Sequence, residues 1–171
     1  VVVNRFWQSL FGTGIVKTAE DFGLQSEAPS HPELLDWLAV EFMESGWSLK
    51  HLHRLILNSQ AWQRASAVPD SQRMAAAQAR DPENRLLWRM NAGRMEAEVV
   101  RDSLLYVAGK LDLTMGGQEL ENTDALTTYR RSLYYAVYPE QGGRSQLGEL
   151  FDAPDPLDCY RRTSSLIPQQ A

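Results

Sequence analysis

Cysteine is nearly absent: Cys159 is the single one in 171 residues. No internal disulfide can form, and without a C-x-x-C pair there is neither covalent c-type haem attachment nor a thiolate zinc cluster. Histidine is scarce as well, with three in the chain and none after His53. Ser164 and Ser165, beside Arg161 and Arg162, therefore have no nearby base and no G-x-S-x-G context, which argues against serine catalysis. No apolar run approaches the roughly 20 residues that span a bilayer, and Val1-Val2-Val3 is too short for the core of a signal peptide. Positive charge is not in excess either. Seventeen Lys and Arg face twenty-two Asp and Glu, a net charge of -5, which is the wrong sign for a general binder of nucleic acid or anionic membrane. What is present is core material. The chain is 43% hydrophobic and 9% aromatic, with five Trp, a composition that excludes disorder, collagen-like repeats and disulfide scaffolds and predicts a packed fold.

The periodicity predicts a mainly α fold: a bundle of short amphipathic helices with long ordered loops and a small β-hairpin or strand pair. Val3, Phe6, Trp7 and Leu10 recur at helical spacing over about residues 2 to 11, and Gly12 offers a left-handed stop. Residues 12 to 30 lack sustained periodicity and read as a long loop. Ser30 and Glu33 stand at capping-box spacing around Pro32, ahead of Leu35, Leu38, Ala39 and Phe42. Ser45-Gly46 ends that helix, and Ser48 can cap a third one carrying Leu49, Leu52 and Ile56. Asp81-Pro82-Glu83 predicts another short helix, and residues 95 to 111 carry the longest pattern, with Val100, Leu104, Val107 and Leu111 as its core stripe. Alternation around residues 129 to 138 predicts the strand. Pro154, Pro156 and Pro168 leave little room for regular structure around Leu147 to Phe151. The chain reads as one domain, 1–171, with two halves, 1–66 and 81–171, joined by an Ala-, Ser- and Gln-rich linker at 67–80. It opens without Met and stops where a helix could begin, so the expectation is a fragment of a longer multidomain polypeptide.

Candidate chemistry is sparse. His51 and His53 lie two apart, about 200° apart on a helix, and cannot converge on one ion; His53 falls on the apolar face and reads as a core or interface histidine. His31 is a helix-start residue, and no spacing calls for a metal. Asp152, Asp155 and Asp158 recur every third residue, but prolines stand where a calcium loop needs glycine, so turn formation and pairing with Arg130, Arg131, Arg161 or Arg162 is the simpler reading. Cys159 has no histidine or turn context that would make it a nucleophile. Gly116-Gly117 and Gly142-Gly143 read as turns. Trp7, Trp37, Trp47, Trp62 and Trp88 suit core packing better than sugar platforms.

Several strings together resemble a known family. They run from Val3-Asn4-Arg5-Phe6-Trp7, Phe11-Gly12-Thr13-Gly14 and Asp21-Phe22-Gly23 to His31-Pro32-Glu33-Leu34-Leu35-Asp36-Trp37-Leu38 and Gly46-Trp47-Ser48-Leu49-Lys50. They continue through Asp81-Pro82-Glu83-Asn84-Arg85-Leu86-Leu87-Trp88-Arg89-Met90, Glu96-Ala97-Glu98 and Arg101-Asp102-Ser103 to Phe151-Asp152-Ala153-Pro154-Asp155-Pro156 and Pro168-Gln169-Gln170-Ala171. Nearly the whole chain is similar to the domain of unknown function numbered fifteen fifty-three, found in large secreted proteins typical of planctomycetes. The resemblance implies a position toward the C-terminus of an exported polypeptide, periplasmic or extracellular, often carrying a c-type cytochrome-like segment and sometimes a carbohydrate-binding-like module. It supplies no catalytic residues. Haem c, on this reading, belongs to the parent chain outside these residues, and the fragment itself has no cofactor.

The resulting expectation is a non-catalytic interaction or scaffold domain whose partners are other domains of the parent chain. Trp37, Trp47, His53 and Trp62 form its candidate binding face, and Arg131 and Arg161 are candidate partners for the acidic tail. The alternative is a polysaccharide-binding or polysaccharide-degrading module with Asp152 and Asp155, or Glu96 and Asp102, as its carboxylates.

Overall fold

The computed structural model describes residues 1–67, 71–137 and 145–153. It is mainly helical, and its contacts divide the chain into two compact units, Val1–Gly93 and Arg94–Ala171. The division falls after Gly93, whereas the sequence suggested a linker at 67–80; most of that stretch is a helix, Ser71–Arg80.

In the first unit α1 (Val2–Phe11), α2 (Pro32–Glu44) and α3 (Leu49–Leu57) pack in sequence order, α1 on α2 and α2 on α3, and α4 (Ser71–Arg80) follows. Val3, Trp7 and Phe11 repeat at one-turn intervals and bury one stripe of α1 against Leu38 and Phe42 of α2 and Leu52 and Ile56 of α3. Trp7 and Phe11 stack with ring centroids 4.3 Å apart, and Trp62 meets Phe11 edge-on at 5.8 Å. Gly12 ends α1 at φ 81°, its N–H bonded to Gln8 O at 2.7 Å, a left-handed conformation that suits glycine. Gly46 (φ 70°) and Trp47 (φ 61°) reverse the chain between α2 and α3. Ser48 caps α3 as expected, accepting from the N–H of His51. The capping box before α2 does not form. His31 occupies the cap position with Pro32 in the first turn, and Ser30 instead donates its hydroxyl to Ile15 O at 3.3 Å.

The loop over residues 12–30 is held by one side chain. Asn4, fully buried, accepts the Val16 N–H at 2.8 Å and donates to Val16 O at 3.0 Å. A single amide thus gives Val16 the two bonds a neighbouring strand would supply, and Ile15, Val16 and Ala19 are buried beneath it. The helix expected after Asp81 is a pair of turns instead. Both carboxylate oxygens of Asp81 accept backbone N–H groups, from Arg85 and Leu86 at 2.8 Å, and a side chain that satisfies the backbone in this way competes with the helix it was expected to cap.

In the second unit α5 (Ala97–Val107) packs on α6 (Gln146–Leu150) and on a 3-10 turn, Ser132–Tyr134; a second 3-10 turn spans Asn122–Leu126. The expected hairpin is not formed among the described residues. Asp112 with Arg130 and Leu120 with Tyr135 make isolated parallel bridges, so the alternation at 131–137 belongs to a 3-10 turn entering extended chain. The short apolar stretch after Ser145, expected to be irregular, forms α6, with Ser145 accepting from Gly148 N–H. The core stripe of α5 also differs from expectation: Leu104 and Val107 are exposed, and the buried residues are Ala97 and Arg101.

Candidate functional site

Arg101, only 8% exposed, organises the second unit. Its Nε donates to Ala125 O at 3.3 Å, Nη1 to Arg130 O at 2.8 Å and Ser132 Oγ at 3.3 Å, and Nη2 to Ala125 O at 3.1 Å and Thr128 O at 2.6 Å. A guanidinium has five N–H donors, and every one of them is used here. Its plane also lies 5.0 Å from the Tyr135 ring. Asp102, the next residue, accepts both the Ser132 N–H at 2.8 Å and the Ser132 hydroxyl at 2.7 Å. Two adjacent charged side chains thus replace the ladder that an irregular segment lacks. Arg130 does the same for the Gly116–Gln118 turn, donating to Gly116 O and Gln118 O while stacking 4.0 Å from the Tyr134 ring.

The outer side of this scaffold is a shallow groove of about 740 Å3, bordered by Glu96, Asp102, Tyr106, Val107, Leu133 and Val137. Its character is apolar and open: Val107 is 85% exposed, Tyr106 71% and Leu133 69%. Glu96, at the cap position of α5, and Asp102, six residues on, both line it. Asp152, in contrast, pairs with Arg94 at 3.5 Å.

The other expected binding residues are not gathered into one face by any contact among themselves. Trp47 meets Phe42 edge-on at 5.3 Å, His53 meets Phe6 at 5.4 Å, and Trp62 packs against the core of the first unit. Trp37 is exposed on α2. His51 pairs with Glu41 at 2.9 Å, away from any partnership with His53. Arg131 stacks on Tyr134 at 5.7 Å. Asp155, Asp158, Cys159, Arg161, Arg162, Ser164, Ser165 and Gly142-Gly143 lie outside the described residues. Among the described residues no three His, Cys, Asp or Glu side chains group to hold a metal, and no helix is long and apolar enough to cross a membrane.

Titration follows the same contacts. Burial raises the Tyr135 phenol, whereas the Gly116 N–H, donated to the Tyr134 oxygen at 2.9 Å, and then Arg131 lower that of its neighbour. The Thr114 side chain, its backbone N–H and Arg130 hold the Asp112 carboxyl below its ordinary value. A depressed folded-state value contributes stability above the unfolded-state value, and this is lost as pH falls through the folded one. Urea titrations across acid pH should therefore show a flatter loss of stability in Asp112→Asn than in the parent chain.

Val107 escaped the sequence reading as a surface residue because α5's apolar pattern suggested a buried stripe, and Leu133 because the alternation around it suggested a strand. The signal for Val107 was the arginine: Arg101 shares a helical face with Ala97, and a face that buries an arginine turns the flanking apolar positions outward. With this geometry goes a family. The chain belongs to the PSD1 family, described as a protein of unknown function (DUF1553), which it matches over residues 1–171. No curated protein and no solved structure matches it.

Proposed function

We propose that the chain is a non-catalytic interaction domain of a longer, exported, planctomycete-type polypeptide, and that the groove along α5 docks another domain of that polypeptide. The observation that supports this is the apolar face of Tyr106, Val107 and Leu133, carried on elements that the Arg101 guanidinium and the Asp102 carboxylate tie together. Docking surfaces are apolar at their centre and polar at their rim, and Glu96 and Asp102 stand at this rim. The carboxylate of Asp102 is committed to Ser132, work that favours a structural role over acid–base chemistry. The haem that the family resemblance implies belongs elsewhere in the polypeptide, since Cys159 alone provides no C-x-x-C-H attachment.

Calorimetric titration of the full chain with the separately produced, haem-loaded remainder of the polypeptide tests this reading. Saturable binding is expected, weakened about tenfold or more by Val107→Asp with Leu133→Asp, both exposed positions at the centre of the face. Absence of binding by the folded chain would overturn it. Saturable binding to a polysaccharide, lost in Glu96→Gln, would instead establish the carbohydrate alternative.

A further inference from the structure

The first unit encloses a second and different feature, a hollow of about 340 Å3 between the 12–30 loop, the start of α2 and the turns around residues 83–91. Its volume falls within the range of pockets that hold small organic ligands, about 300–1,000 Å3. Trp7, Ile15 and Leu87 provide an apolar lining, and Lys17, Arg85 and Glu83 provide the charges. It is built from residues that are fixed before any ligand arrives. Asn84, 3% exposed, donates to Arg89 O at 2.9 Å and to Asn91 Oδ1 at 2.8 Å, and Asn91 in turn donates to Phe11 O at 2.8 Å, at the end of α1. Asn84 and Leu87 both stand at φ 54°, a left-handed conformation that a leucine adopts only where its surroundings impose it. A preformed wall spares a ligand the cost of ordering it.

The charges select the class of ligand. Lys17 and Arg85 outnumber Glu83, and His31, its Nδ1 2.9 Å from Ser30 Oγ, lines the same hollow. The Lys17–Glu83 pair, at 3.1 Å, joins two half-exposed side chains, and such a pair is readily exchanged for another partner. Arg85 has no ion-pair partner among the described residues. We infer that this hollow binds a small organic monocarboxylate, its apolar body against Trp7, Ile15 and Leu87 and its carboxylate held by Arg85 and by Lys17 drawn from Glu83. An arginine that takes a carboxylate through paired N–H donors gives both affinity and orientation. The inference is independent of the α5 groove, which lies in the other unit.

Amide and indole NMR shifts of the full chain titrated with sodium benzoate test it. Saturable shifts centred on the Trp7 indole, Thr13, Gly14 and Ile15 are expected, with a dissociation constant of the order of 1 mM. Benzyl alcohol, which keeps the ring and loses the charge, should bind about tenfold more weakly, and Arg85→Gln should weaken benzoate by a similar factor. Glu83→Gln should tighten it, by removing a like charge from the mouth. Arg85 and Glu83 are exposed, so unchanged spectra away from the hollow will show that both variants fold. The inference fails if those signals do not move at about 50 mM benzoate, if benzyl alcohol binds equally well, or if Arg85→Gln leaves the affinity unchanged.

Discussion

Arg101→Ala will destabilise the second unit by about 3–5 kcal/mol, the range seen when one partner of a buried, bonded charge is removed. The loss has an identifiable origin. Ala125, Thr128 and Arg130 present carbonyl oxygens to the guanidinium, and a buried carbonyl left without a donor costs about 1–3 kcal/mol. Asp102 also loses the cation beside it, 3.6 Å away. Arg101→Lys separates geometry from charge. Lysine keeps the positive charge, but its single ammonium cannot reach three carbonyls arranged around a planar fork, so most of the loss should persist. Hydrogen exchange of amides in 122–135 measures this directly, with exchange in the first-unit helices as an internal reference. Arg101→Lys with parental protection would show that charge alone, and not the five-bond geometry, holds this segment.

The second large effect is expected at Asn4. Asn4→Ala removes the donor and the acceptor that bind Val16 and leaves a small cavity beneath the loop, for a combined loss of about 2–4 kcal/mol. Asn4→Asp should be no milder, because it keeps the acceptor for Val16 N–H but loses the donor to Val16 O and buries a charge. Gly14 reports on the same space from the other side. A Cβ at Gly14 would come within 2.5 Å of Asn4 Nδ2 and 2.6 Å of Val16 O, so Gly14→Ala should also destabilise. The two substitutions should not add, since Asn4→Ala removes the Asn4 side-chain atoms that Gly14→Ala would clash with and leaves only the approach to Val16 O. Denaturation midpoints of the two single variants and the double variant, with limited proteolysis between residues 17 and 29, provide the measurement. Full additivity, or a loop no more sensitive to protease than the parent's, would contradict the pinning role of Asn4.

Asn4 and Arg101 share a property that explains what a reading of residue patterns could reach. The first three helices were legible because each needs only local information: Val3, Phe6, Trp7 and Leu10 recur along α1, Ser48 caps α3, and Gly46 turns the chain, whereas α4, with no apolar stripe to mark it, reads as a linker. Periodicity reports which side of a helix is apolar. It does not report what lies opposite. On α5 the apolar residues Leu104 and Val107 face outward while Arg101 faces in, because the segment packed against that helix is short of backbone partners and needs donors more than it needs methyl groups. The alternation at 131–137 was misread for a related reason. A strand requires a neighbour along its whole length to complete its ladder, and here only Leu120 supplies one, bonding Tyr134 O and Ala136 N–H, while the Ser132 N–H is taken by the Asp102 carboxylate.

The candidate residues divide along the same line. Glu96 and Asp102 were singled out as carboxylates, and they do line one groove, yet Asp102 serves Ser132, 30 positions away in sequence. Trp62 and His53 were singled out as part of a face, and each meets a different aromatic ring of α1, Phe11 and Phe6. Arg85, which carries the ligand inference, gave no signal in its own surroundings beyond a charge next to a turn.

Taken alone, the residue order determined the helical class, the acidic balance that disfavours nucleic acid, the lack of any haem-attachment motif and the family to which the chain belongs. These are properties of composition and short-range spacing, which hold whatever the chain packs against. Tertiary structure decided the division after Gly93, the direction in which α5 turns its apolar side, and the gathering of Trp7, Lys17 and Arg85 around one hollow. Those depend on buried polar groups finding partners far along the chain, as Asn4 finds Val16 and Arg101 finds Ala125. A bond of that kind is set by the position of both ends in space, and spacing along the sequence encodes only one of them.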